Sequence, residues 1–133
     1  MAITRTCLTL LFAASVALHI SCATPGDIAS LEERVKVEPD SVQAHYYLAL
    51  AYVNAGLEWE GQRDVGVATI ASKKWVNRAV TQFEKVMELD PKFPEPHYWL
   101  KVIYNAEGKY EEADREAEVY VNLTAQAKRR YEK

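Results

Sequence analysis

The chain has 133 residues, with sixteen Lys and Arg against nineteen Asp and Glu, a formal charge of −3, five Gly, five Pro and two Cys. These figures exclude a collagen-like or low-complexity chain and a disulfide scaffold, and the weak negative charge disfavours nucleic-acid phosphates as partners. The hydrophobic 49% is unevenly spread, because residues 1–21 carry a single charge, Arg5, and every acidic residue lies beyond them.

At the N-terminus, Met1–Thr6 carries Arg5, and Cys7–Ile20 is apolar or small apart from Thr9, Ser15 and His19. Residues 1–21 therefore read as a cleavable apolar signal helix. Their run of about fourteen apolar residues falls short of the roughly 20 that a permanent transmembrane helix needs. Leu18-His19-Ile20-Ser21-Cys22 resembles a bacterial lipobox, with His19 departing from the usual aliphatic residue. That resemblance implies acylation of Cys22, residues 22–26 as a lipid-attachment linker, and a chain held at the outer membrane and facing the periplasm. The rival route is cleavage after Ala23, which releases a soluble periplasmic chain. A Cys at the end of the leader is needed for acylation and idle otherwise, which favours the first route. Removing Cys7 with the leader leaves Cys22 without an intramolecular disulfide partner.

Beyond the leader, Asp27 starts a short helix in which Ile28, Leu31 and Val35 form a stripe. In 42–55, Val42, Tyr46, Ala49, Tyr52 and Val53 recur at three- and four-residue steps, with Asp40 and Gln43 as a capping pair and Gly56 as a left-handed stop. Residues 57–74 break the pattern with Trp59, two Gly and mixed charges. The spacing predicts that the preceding helix extends through about Arg63, with Val65, Val67 and Ile70 folding back as a short helix; a dedicated binding lid is the alternative. Val76, Val80, Phe83, Met87 and Leu89 give the next helical stripe, which Asp90-Pro91 stops. Pro94 and Pro96 belong in the first turn of the following helix. The last helix begins acidic, with Glu111, Glu112, Asp114, Glu116 and Glu118, and ends basic, with Lys128, Arg129, Arg130 and Lys133, as the helix dipole favours.

The chain also repeats itself at an offset of 52. His45, Tyr46, Leu48, Tyr52 and Gly56 meet His97, Tyr98, Leu100, Tyr104 and Gly108, and Pro39 meets Pro91. Leu100, Tyr104, Gly108, Tyr110 and Ala113 fall at the spacing of the tetratricopeptide repeat, which the chain resembles from about Val35 to Leu123. The offset is one 34-residue unit lengthened by the 18-residue insertion. The resemblance implies an all-α stack of antiparallel helical hairpins with about five helices. Within 27–133 it divides the chain into a half repeat (27–38), a first repeat (39–90) carrying insertion 57–74, a second repeat (91–123) and a C-terminal extension (124–133).

By the same resemblance, the first helices of each unit line a concave groove for a partner peptide or helix, through Gln43, Tyr46, Leu50, Val53 and Asn54 and through Glu95, Tyr98, Val102, Asn105 and Ala106. Tyr46 and Tyr98, at equivalent positions, would then stand side by side as anchors. The basic set of a carboxylate clamp is missing. Lys101 stands where a small residue is usual, so either the second hairpin opens there or the lysine stem lies along the surface. His45 and His97 take the position of a packed aromatic residue, and Glu32-Glu33 and Glu111-Glu112 are solvated helix faces. Asn122-Leu123-Thr124 matches a glycosylation acceptor in a helical context. No catalytic, metal or cofactor constellation is present, so the expected role is a non-enzymatic adaptor binding another protein in secretion, pilus or envelope assembly. The alternatives are a self-associating structural subunit and a soluble periplasmic ligand-binding accessory using His45 and His97.

Overall fold

The computed structural model describes residues 27–61 and 67–131. The signal helix, Cys22 and the linker that follows it lie outside the described residues, as do Arg63 and Val65. The element order is α1 (Ile28–Val37), α2 (Val42–Gly56), β1 (Leu57–Glu60), β2 (Val67–Ile70), α3 (Lys73–Leu89), α4 (Glu95–Ala106) and α5 (Tyr110–Tyr131). The five helices expected from the sequence are present, in consecutive antiparallel hairpins.

Several helix ends have an identifiable chemical reason. Asp27 caps α1 by accepting from the Ala29 N–H at 3.1 Å and from the Ser30 hydroxyl at 2.8 Å. The cap of α2 is Ser41, which accepts from the Ala44 N–H, rather than the expected pairing of Asp40 with Gln43. Ser41 stands one residue closer to the first turn, where its short hydroxyl reaches the third free N–H. Pro94 caps α4 and Pro96 sits in its first turn, where a missing N–H costs no helical bond. Asp90 ends α3 before Pro91.

The two repeat glycines solve different problems. Gly108 has φ +74, its N–H donates to the Asn105 carbonyl and the Lys109 N–H donates to that of Tyr104, which closes α4 with a Schellman turn. Gly56 lacks the positive φ that the sequence suggested. A Cβ there would lie 2.9 Å from the backbone nitrogen of Val76 and 3.2 Å from the Trp75 Cβ, so Gly56 is small because α3 crosses close to the end of α2.

Insertion 57–74 departs from the expected helix extension and short helix: Leu57–Glu60 and Val67–Ile70 are strands, and Lys73 and Lys74 already belong to α3. It forms an antiparallel hairpin in which Leu57 faces Ile70 and Trp59 faces Ala68, with Glu58 opposite Thr69 and Glu60 opposite Val67. Alternation explains why strand wins: Leu57 is buried and Trp59, Ala68 and Ile70 are half-buried, while Glu58, Glu60, Val67 and Thr69 are exposed. A helix would spread these apolar residues around its circumference. The insertion is closed at its base by the Gly56 carbonyl, which accepts from the N–H groups of both Ala71 and Ser72.

The core lies mainly between α2 and α3 and extends onto α4. Ala44, Ala49, Val53, Val76, Ala79, Phe83, Val86 and Ile103 are almost wholly enclosed. Ile28, Leu31 and Val35 of α1 pack against this core as the expected stripe. Glu32 is more than a solvated face residue. Its carboxylate accepts from the Tyr52 hydroxyl at 2.6 Å and from Arg78 at 3.2 Å, joining α1 to α2 and α3. Glu107, whose side chain is only 8% exposed, pairs with Lys73 at the start of α3 and with Lys109 at 2.7 Å, tying the first repeat to the turn of the second.

Candidate functional site

The expected groove falls on α2 and α4, the first helices of the two repeats. Gln43, Asn54 and Asn105 are exposed there, and Tyr46, Leu50, Glu95, Tyr98, Val102 and Ala106 are half-buried. Val53 is a correction. At 1% exposure it belongs to the core, because its position on α2 turns it toward α3 and the base of the hairpin, and it offers no surface to a partner.

The two tyrosines do not pair. Tyr46 meets Phe93 edge-on at 5.1 Å and also touches Phe83 and Tyr47. Tyr98 packs against Trp99 and against Tyr120 of α5. Trp99 links the two, donating its indole N–H to the Tyr46 oxygen at 3.4 Å while its ring meets Tyr98 edge-on at 5.3 Å. The insertion adds a further member, since Trp59 of β1 packs edge-on against Trp99 at 6.4 Å. The centre of the site is thus Trp99, which the repeat alignment passed over because it aligns with the unremarked Tyr47. Its signal in the sequence was the cluster Tyr98-Trp99 on a predicted first helix.

The electrostatics follow from enclosure. Burial pushes the Tyr46 phenol above its ordinary range; the Trp99 indole bond works against this, and the nearby Glu95 carboxylate adds to the rise. Glu95 precedes Trp99 by one helical turn, so the two share a face. Two polar atoms are buried here without a hydrogen-bond partner, Glu95 Oε2 and Trp59 Nε1. A buried unpaired donor or acceptor costs about 1–3 kcal/mol, so this region carries a polar cost that the rest of the described core avoids.

The remaining candidates have structural roles. His45 is buried, with Nε2 at 2.8 Å from the Pro39 carbonyl and Nδ1 at 2.7 Å from the Gln82 amide. The Pro39 carbonyl and Gln82 Oε1 face the two ring nitrogens as acceptors, and the ring ties α2 to α3 and to the turn before it. His97 bonds Glu116 at 2.6 Å and joins α4 to α5. Among the described residues no group of three or more His, Cys, Asp and Glu is arranged to hold a metal ion. Lys101 lays its ammonium over the Tyr98 ring at 5.1 Å, so the stem lies along the surface. Thr124 donates back to the Tyr120 carbonyl within α5. No described helix is long and apolar enough to cross a membrane.

No protein-family model matches the chain, and no curated protein matches it significantly. Solved structures similar to it include the crystal structure of MamA, with a TM-score of 0.61 and 16% identity, over 77% of this chain and 49% of that one. The chain thus spans about half the length of that structure. At this identity the likeness is one of fold alone: the architecture is a tetratricopeptide-like, all-α stack of helical hairpins.

Proposed function

We propose that the chain is a protein-binding adaptor that receives a peptide or helix of another protein on the face formed by α2 and α4. The observation that carries this reading is the half-buried Tyr46–Trp99 pair with Glu95 beside it, whose Oε2 is enclosed and unpaired. Aromatic faces beside a lone carboxylate suit a segment bearing a Lys or Arg side chain, which offers both an N–H donor and a cation. The hairpin supports the same reading, since Trp59 fixes one side of Trp99 and leaves the Tyr46 end as the recognition surface. As proposed, the adaptor is non-enzymatic.

The proposed address is the bacterial cell envelope. The lipobox-like Leu18–Cys22 segment supports acylation of Cys22 and tethering to the outer membrane on its periplasmic side, with partners in secretion, pilus or envelope assembly. Affinity capture from native membranes tests both parts. Glu95→Gln and Tyr46→Ala are expected to lose the captured partner while retaining helix content; an unchanged captured set would sink the groove assignment. Cys22→Ser is expected to lose both the acyl label and membrane association. Loss of the label with association retained would overturn the anchor, and cleavage after Ala23 would show as a mature chain beginning at Thr24.

A further inference from the structure

The outer side of α5 carries a pattern that is its own complement. At 22 residues α5 is about 33 Å long, whereas α4, its hairpin partner, is about 18 Å, so the C-terminal part of α5 outruns the helix it packs on. Ala113 is buried against α4 and Tyr120 packs on Tyr98. Turned away from that contact, Val121 is 61% exposed and Tyr110, three turns earlier on the same side, is 67% exposed. Around Val121 the residues Asp114, Ala117, Ala125 and Lys128 step along one side of the helix, within roughly 80° of one another. Each of the two alanines is four residues from Val121, and each of the two charges is seven.

We infer that α5 is a homodimer interface, pairing antiparallel with α5 of a second copy about a two-fold axis at Val121. That operation sets Val121 on Val121, Ala117 on the second copy's Ala125, and Asp114 on the second copy's Lys128. An isologous interface requires such self-complementarity. Small residues on both sides of the axis allow the helices to approach closely, and the charge order sets the antiparallel direction. The rest of the helix agrees: Glu111, Asp114 and Glu118 occupy one half, and Lys128, Arg129 and Arg130 occupy the other. A parallel pair would place like charges together. Lys128 already has an interaction within its own chain, and the second copy's Asp114 adds to it. The interface is separate from the α2–α4 face, so a dimer presents two grooves.

Cross-linking tests the geometry. In the full chain carrying Cys7→Ser and Cys22→Ser, Val121→Cys is expected to give a covalent dimer on mild oxidation. Val119→Cys, on the far side of α5, is not. This positional contrast separates the pairing from any association through residues 1–21. Asp114→Lys or Lys128→Asp, added singly to the Val121→Cys chain, should weaken association and lower the yield roughly tenfold, because each altered pair occurs twice by symmetry. The double charge swap should restore the yield, which a purely local helix-dipole role would not produce. Circular dichroism of each variant separates loss of pairing from loss of folding. The proposal is overturned if the two cysteine variants cross-link alike, if neither cross-links, or if the single charge reversals leave the yield unchanged.

Discussion

Replacing Gly56 by Ala is expected to destabilise the chain by about 1–2 kcal/mol, for a reason different from that at Gly108. A Cβ at 56 would lie 2.9 Å from both Cγ2 and the backbone nitrogen of Val76. Val76 is fully enclosed and β-branched, so its methyl has little room to turn away, and the nitrogen can retreat only if α3 moves from α2. Overpacking of this kind costs about 1–3 kcal/mol, and the better helix propensity of Ala returns at most about 1 kcal/mol. At Gly108 nothing lies within 4 Å of an added Cβ. The cost there is the left-handed backbone, about 1–2 kcal/mol, less about 0.4–1 kcal/mol gained by restricting the unfolded chain. Asparagine tolerates the left-handed region, so Gly108→Asn should stay near wild type, whereas Gly56→Asn keeps the clash and should be at least as damaging as Gly56→Ala. Adding Val76→Ala to Gly56→Ala removes the methyl contact but leaves the nitrogen contact, so a partial, non-additive rescue is expected. Urea unfolding followed by circular dichroism reads these effects as a midpoint lowered by roughly 0.5–1 M. Equal tolerance of Asn at both positions, or strict additivity of Gly56→Ala with Val76→Ala, would refute the reasoning.

Three further outcomes follow from the contacts described. Burial, reinforced by Glu32, raises the Tyr52 phenol to about 12, so the folded state holds this proton more tightly than the unfolded state. The associated stability is complete below pH 10 and is lost as pH rises through about 12. Tyr52→Phe should flatten that part of the stability profile relative to wild type and cost about 1.5–3 kcal/mol at neutral pH by deleting a hydrogen bond to a carboxylate. Trp59→Phe keeps a ring against Trp99 and removes the unpaired indole N–H, so its unfolding midpoint should match or exceed that of wild type, while Trp59→Ala should loosen the hairpin and speed amide exchange in Leu57–Glu60. Glu107→Gln weakens the link from Lys73 to Lys109 and should cost about 1–2 kcal/mol by denaturant titration, with an effect that shrinks at high salt because both lysines are exposed.

Much of the helical frame was legible because its signals are local and redundant. The stripe Ile28, Leu31, Val35, the break at Asp90-Pro91 and the prolines at 94 and 96 each mark an element by themselves, and the 52-residue offset places the two repeats in phase. The insertion was misread because four-residue strands leave little periodicity to count, although the alternation of Leu57 and Trp59 with Glu58 and Glu60 is a period-two signal. Gly56 shows a deeper limit. Its sequence context matches that of Gly108, yet one is required by backbone conformation and the other by the approach of a helix that begins seventeen residues later in the chain. In the candidate site, Tyr46 and Glu95 were found by repeat position, whereas the central place of Trp99 depends on Trp59, and no local pattern brings those two residues together. The burial of Val53 and the engagement of Glu32 by Tyr52 and Arg78 likewise arise only once α2 and α3 have packed.

The closure of the hairpin on a single carbonyl makes the insertion a partly exchangeable module. The Gly56 oxygen receives the N–H groups of Ala71 and Ser72, so the chain leaves α2 and returns to α3 through almost the same point in space. Leu57 at the base is buried in the core and Trp59, Ala68 and Ile70 pack against it, so the exchangeable part is the segment beyond that apolar base. The end of that base is a natural splice site: a foreign loop could be carried there on an otherwise unchanged scaffold. Lineages that keep the frame could therefore vary what the α2–α4 face recognises by exchanging one segment, without redesigning the stack.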